Sequence, residues 1–210
     1  MRPTKKPPTV SDDYRTRTIY RQAAQVISKK GFGATSMGDI ANAVDLTKGG
    51  LYYYIKGKQA LLFAIMNDAM ERLETEVMAP AAGEPDAERR LSALVSGHIR
   101  LVMRDPSAMT ILVTEDEGLD DEHRAKIAAR KKDFPRMLRE CIEEILAKQH
   151  PIPSVDSTVA AYSLLGMIHW VVRWYKTESR LSEGELVEQL THLALYGIIP
   201  LPVTATAKIA

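Results

Sequence analysis

The seven residues Lys48-Gly49-Gly50-Leu51-Tyr52-Tyr53-Tyr54 bring together one ammonium group, three phenolic hydroxyls and two positions without side-chain bulk. Lysine and tyrosine donate to phosphate oxygens and base edges, and glycine lets a backbone come close, so this combination suits contact with duplex DNA. Lys56 and Lys58 add positive charge just beyond. If the segment is helical, successive side chains turn by about 100°. Leu51 and Ile55 then share an inward face, and Tyr53 points outward with Gly49 and Gly50 near it. Tyr52 and Tyr54 flank, with Lys48 on the Tyr52 side. The competing reading is a helix–helix packing patch, in which each buried tyrosine hydroxyl would need a partner.

Other chemistries find less support. The five histidines, His98, His123, His150, His169 and His192, show no metal-ligand spacing. Asp120, Asp121 and Glu122 fit the first turn of a helix, where acidic side chains favour the dipole. The single Cys141 rules out an internal disulfide framework and any multi-cysteine metal site. No glycine-rich loop follows a strand. Neither metal nor cofactor is expected, and an α-helical enzyme would need a convergent polar site that these residues do not supply.

Charge divides the chain. Residues 1–58 carry eleven Lys and Arg against four acidic residues, whereas 59–210 carry 17 Lys and Arg against 23 acidic ones. Such asymmetry marks the N-terminal part as the one that meets a polyanion, unless the two parts are simply differently charged solvated surfaces. With 45% hydrophobic and 26% charged residues the composition is that of a globular protein. No apolar run reaches a membrane-spanning length. The opening MRPTKKPPTVSDD is basic and lacks the apolar stretch of a signal peptide, so a cytoplasmic protein without membrane contact is expected.

The elements that position the tyrosines are legible as helices. Ile19, Ala23, Val26 and Ile27 recur at helical spacing from about Asp13 to Lys30, after a Pro- and Lys-rich arm over 1–12. Gly31 stops that helix. Ser36-x-x-Asp39 resembles a capping box opening a short second helix to about Ala43. Thr47 caps a third that ends near Gly57. A fourth helix is expected over 58–78 and a loop over 79–86, which contains Pro80, Gly83 and Pro85. Further helices are expected at about 86–104, 106–114, 120–149 with a bend at Pro135, 155–176, and 183–198 behind a Ser182-x-x-Glu185 cap. Residues 199–210 read as a tail. With no strand, repeat or low-complexity tract, the chain is expected to be all-α.

The stretch from Gly31 to Lys58, GFGATSMGDIANAVDLTKGGLYYYIKGK, resembles the DNA-binding domain of the TetR/AcrR family of repressors. The matching positions are Gly31, Phe32, Thr35, Ser36, Ile40, Ala41, Thr47, Gly49, Leu51, Tyr52, Tyr54, Ile55, Lys58 and Leu61. Asp45 departs from the family's usual turn glycine, and Gly50 from a common threonine. The resemblance implies a helix-turn-helix over 13–58 and a larger ligand-binding and dimerisation domain over 59–198. It implies DNA contacts at Ser36, Lys48, Gly49, Gly50, Tyr52, Tyr53, Tyr54 and Lys58, with Lys48 and Tyr53 the candidates for base readout. Arg15, Arg17, Lys5 and Lys6 are either additional contacts or solvated surface.

By the same resemblance the last two long helices pair across a twofold axis, giving a homodimer that binds a palindromic operator on double-stranded DNA. Val159 to Val172 is apolar nearly all round and is expected to be buried on several sides. The remaining helices would enclose a small lipophilic effector, with Leu94, His98, Leu101, Val102, Met109, Leu112, Phe134, Leu138, Cys141, Tyr162, His169 and Trp170 as candidate lining or as plain core. TEDEGLDDEHRAKIAARKKDF and WYKTESRLS also resemble a branch of the family that senses CoA thioesters. There Arg124, Arg130, Lys131 and Lys132 are either CoA-phosphate ligands or a charged helix face. The expected function is a ligand-responsive transcriptional repressor. The alternative is an architectural or cell-division DNA-binding protein of the same fold without an inducer.

Overall fold

The computed structural model describes residues 10–148, 155–175 and 180–198, and among them all regular structure is helical. Lys5, Lys6, His150, the Pro151/Pro153 pair and the tail over 199–210 lie outside the described residues. The chain divides into two compact units. One comprises the described chain up to Ala69 together with Ser107–Ile127, and the other Met70–Pro106 with the described chain from Ala128 onward.

The first unit holds α1 (Val10–Lys30), α2 (Met37–Ala43), α3 (Lys48–Tyr54) and the start of α4 (Lys58–Arg72). Helix α1 begins three residues before the expected Asp13. It ends at Gly31, whose φ of 81° provides the left-handed stop and whose N–H donates to the Ile27 carbonyl at 2.7 Å. The Ser36–Asp39 capping box forms in full at the start of α2. Asp45 takes the turn into α3 with φ 53°, a conformation in which aspartate is tolerated better than most side chains. Ile19, Ala23, Ile27, Ile40, Leu51, Leu61, Leu62 and Ile65 are buried as the unit's core. Fully burying a side chain the size of Leu51 contributes about 1.5–3 kcal/mol.

Ser107–Ile127 joins this unit through α7 (Pro106–Thr114), a 3₁₀ turn over Asp116–Gly118 and the start of α8 (Asp121–Lys131). The approach is close at Gly118. A Cβ there would lie 2.5 Å from Phe32 Cδ1 and 2.7 Å from Leu62 Cδ2, so only glycine fits. Arg124 donates to the carbonyls of Asp116 and Leu119 and holds this turn, and His123 stacks on Phe63 at 4.0 Å.

In the second unit, α6 (Ala87–Arg104), α9 (Asp133–Ala147) and α10 (Ser157–Trp174) pack against one another, and α11 (Glu183–Leu193) packs on α6. A π-helical stretch, Ala194–Ile198, continues α11. The Ser182–Glu185 capping box is present.

Three larger differences from the expected elements each have a local reason. The expected loop over 79–86 is helical as far as Ala82, because α4 continues through a π-helical stretch, Leu73–Met78, into α5 (Ala79–Ala82). Pro80 cannot donate to the preceding turn. The widened stretch absorbs this, with the Ala79 N–H reaching back to Glu74. The single helix expected over 120–149 is two, α8 and α9, broken at Lys132 rather than bent at Pro135. The proline ring excludes a regular helical carbonyl four residues earlier, at Lys131. The third helix stops at Tyr54 instead of Gly57, because Ile55 turns to extended backbone with φ −135° and ψ 129°.

Candidate nucleic-acid interface and effector core

Helix α3 is short, so its orientation depends on its caps and on its one fully buried residue. Thr47 Oγ1 accepts from the Gly50 N–H at 3.0 Å and closes the N-terminus. Leu51 is buried within the helix, and Ile55 just after it is buried too, as the sequence periodicity requires. With that face anchored, Lys48, Gly49, Tyr52 and Tyr53 are exposed, and Gly50 and Tyr54 are partly covered. Tyr53 is the most open at 76%, and its ring meets that of Tyr54 edge-on at 5.2 Å. The tyrosine triplet is therefore an outward surface and not a buried packing patch.

Lys48 extends toward α2. Its Cε would lie 2.9 Å from a Cβ at Gly38, and the same point is 3.5 Å from Ser36 Oγ. Lys48, Ser36 and the exposed residues of α3 thus come together. Ser36 is also engaged within the chain. Its hydroxyl donates to Asp39 Oδ2 at 2.7 Å and accepts from the Asp39 N–H at 3.1 Å. Lys30 pairs with Asp39 at 2.6 Å, and with Ser36 it holds that carboxyl far below the usual carboxylate range. Arg15 and Arg17 are exposed on α1, and Arg15 donates to the Val44 carbonyl at 3.4 Å.

Lys58 is placed differently from the other candidates. Its ammonium donates to the carbonyls of Phe32 at 2.6 Å, Thr35 at 2.8 Å and Gly33 at 3.2 Å, and sits 4.4 Å from the Phe32 ring centroid. It joins the start of α4 to the turn between α1 and α2, so its charge is spent inside the unit. A Lys58→Met variant keeps the stem and strands those carbonyls. It is expected to lose about 2–3 kcal/mol of stability in urea denaturation. If Lys58 were a phosphate contact, the variant would instead lower the salt dependence of DNA binding and leave stability unchanged.

The effector candidates separate into groups. Met109 and Leu112 are buried in the first unit. Leu94, His98, Leu101, Val102, Phe134, Leu138 and Cys141 are buried in the second, and His169 is half-buried there. Arg90 Nε donates to Cys141 Sγ at 3.2 Å, while burial pushes the thiol above its ordinary range.

Tyr162 and Trp170 are not interior, at 61% and 63% exposed. They lie on one stripe of α10 with Val159, Gly166 and Trp174, all exposed. Val159–Val172 was expected to be buried on several sides; it is buried along Ala160, Ala161, Leu164, Ile168 and Val171 and open along this stripe. A second apolar period at 159, 162, 166, 170 and 174 was present in the sequence and marks this face.

Arg124, as noted, holds the turn at Gly118, and Arg130 grips both oxygens of Glu74 at 2.7 and 2.8 Å. Both are structural in this arrangement. Lys131 lies near His169 and lowers its pKa together with burial, burial being the larger cause. Lys132 is exposed beside Pro135, Arg136, Arg139 and Tyr162, around a groove of about 300 Å³. No described helix is long and apolar enough to cross a membrane.

Helix α3, capped by Thr47, packed on α2 and presenting Lys48, Tyr52 and Tyr53 outward, has the helix-turn-helix arrangement of a transcriptional regulator that binds DNA. Residues 19–65 match the family described as bacterial regulatory proteins, tetR family, and residues 84–198 match the tetracyclin repressor-like C-terminal domain. The chain belongs to the TetR family.

It resembles the solved structure of AibR in complex with isovaleryl coenzyme A and operator DNA, with 36% identity and a TM-score of 0.74 over 85% of this chain and 97% of that one. The HTH-type transcriptional repressor KstR2 of Mycolicibacterium smegmatis is 23% identical over 86% of this chain and 88% of the repressor. The fatty acid metabolism regulator protein of Bacillus subtilis is also 23% identical, over 86% of this chain and 93% of that protein.

Proposed function

We propose that this protein is a homodimeric repressor that binds a palindromic operator and is released by a lipophilic small molecule of the acyl-CoA class. The observation that carries the reading is the face of α3, where buried Leu51 and Ile55 turn Lys48, Tyr52 and Tyr53 outward. Lys48 and Tyr53 read bases. Ser36, Gly49, Gly50, Tyr52 and Tyr54 set the backbone contacts, and Lys58 positions the helices.

The exposed stripe of α10, together with Leu193 and Tyr196 near the C-terminal end, supports pairing with a second copy. Residues 59–198 form the effector and dimerisation part. The likeness to AibR, whose structure holds isovaleryl coenzyme A, supports the effector class. The protein acts in the cytoplasm on DNA and has no catalytic role.

Release requires that the effector bind one conformation better than the other, and the coupling is reciprocal, so operator DNA weakens effector binding by the same factor. Genomic selection of bound fragments at stated salt tests the reading. One recovered palindromic site, freed by isovaleryl-CoA, is the expected result. Scattered, sequence-indifferent fragments would sink it in favour of an architectural protein.

A further inference from the structure

Among the described residues of the second unit, one buried polar side chain stands out at the meeting of three helices. His98 is on α6, 1% exposed, with its ring 4.6 Å from Phe134 of α9 and 5.1 Å from His169 of α10, edge-on to both. Neither Nδ1 nor Nε2 has a hydrogen-bond partner among the described residues. Its helical neighbours at positions 94, 101 and 102 are Leu94, Leu101 and Val102, all buried and unable to hydrogen-bond through their side chains.

Burying a polar group without a partner is unfavourable, and leucine or phenylalanine would fill the same space without that cost. An imidazole held here therefore calls for a partner that is present in another state of the molecule. Burial, with His169 adding to it, also keeps the ring neutral, so it offers one N–H donor and one lone pair. A neutral donor suits an uncharged carbonyl oxygen better than a carboxylate, which would need a cation beside it.

We propose that His98 is the specificity-determining residue of the effector site, donating its ring N–H to the thioester carbonyl of a bound acyl-CoA. The proposal rests on the acyl-CoA reading and adds to it the atom that is recognised. The acyl chain lies among the apolar side chains around His98, and the imidazole distinguishes a thioester, with its carbonyl acceptor, from a plain hydrocarbon.

Isothermal calorimetry with isovaleryl-CoA on the parent, His98→Leu and His98→Gln, alongside melting temperatures, tests this. Leucine removes both ring nitrogens at similar volume, so H98L is expected to melt at or above the parent and to bind isovaleryl-CoA about tenfold or more weakly. H98Q keeps an N–H donor and is expected to regain part of that affinity.

Unchanged affinity in H98L overturns the assignment. A markedly lower melting temperature, or failure of H98L to fold, overturns it as well, because the ring would then serve the unliganded core. If the parent itself does not bind isovaleryl-CoA, the acyl-CoA reading falls and this inference with it. That outcome differs from the first, in which the parent binds and H98L binds equally.

Discussion

Replacing Trp170 with glutamate is expected to yield a folded monomer that no longer holds its operator. Trp170 is 63% exposed on α10 and shares its stripe with Val159, Tyr162 and Trp174. Large apolar side chains gathered on one helix face mark an interaction surface, whereas single exposed ones do not. In a twofold interface each such residue occurs twice, so one substitution places two carboxylates in the contact. Within the monomer the change touches open surface, and the helical content and melting temperature of the isolated chain should hold.

The effect on DNA follows from linkage of two half-site contacts. A dimer engages the second half-site as an intramolecular event, and losing that linkage lowers affinity by about 10² to 10⁴-fold. Sedimentation equilibrium and operator titration check the two halves of the expectation separately. A W170E protein that remains dimeric with full operator affinity would place the interface elsewhere.

The second large effect concerns α3. Lys48→Ala and Tyr53→Ala are each expected to weaken operator binding while dimerisation is untouched. Both side chains are exposed, and neither belongs to the core that Leu51 and Ile55 anchor. A base-edge contact is worth about 1–3 kcal/mol, and an operator-bound dimer makes it twice.

The two variants should differ in kind. Lys48 reads a base edge as a cation that also displaces counterions from the groove. Its removal therefore lowers the slope of log affinity against log salt by up to about 1 per copy, whereas losing the neutral Tyr53 leaves that slope as it was. Binding measured across a salt series to the operator and to point-mutated operators separates readout from neutralisation. Unchanged affinity in both variants would remove α3 from the interface.

Much of this was legible from the chain alone. Local periodicity and capping residues determined where α2 and α3 begin, because Ser36 with Asp39 and Thr47 with Gly50 satisfy backbone groups only a few residues away. The outward direction of Tyr53 followed from the same short-range geometry, since Leu51 and Ile55 had to share the buried face. Fold class and family were carried by residues at fixed spacing within Gly31–Leu61.

Tertiary structure decided what depends on distant partners. Lys58 resembles a phosphate ligand by its charge and spacing, yet the carbonyls that occupy it lie more than twenty residues earlier. In the sequence Gly118 reads only as a break between helices, and the approach of Phe32 and Leu62 is what requires a glycine there. Trp170 and His98 were both placed in the effector core by apolar context, but helix packing turned one to solvent and enclosed the other without a partner. Periodicity specifies which residues share a face. Which of two apolar faces is covered depends on the helices that arrive against it, and local sequence does not encode that arrival.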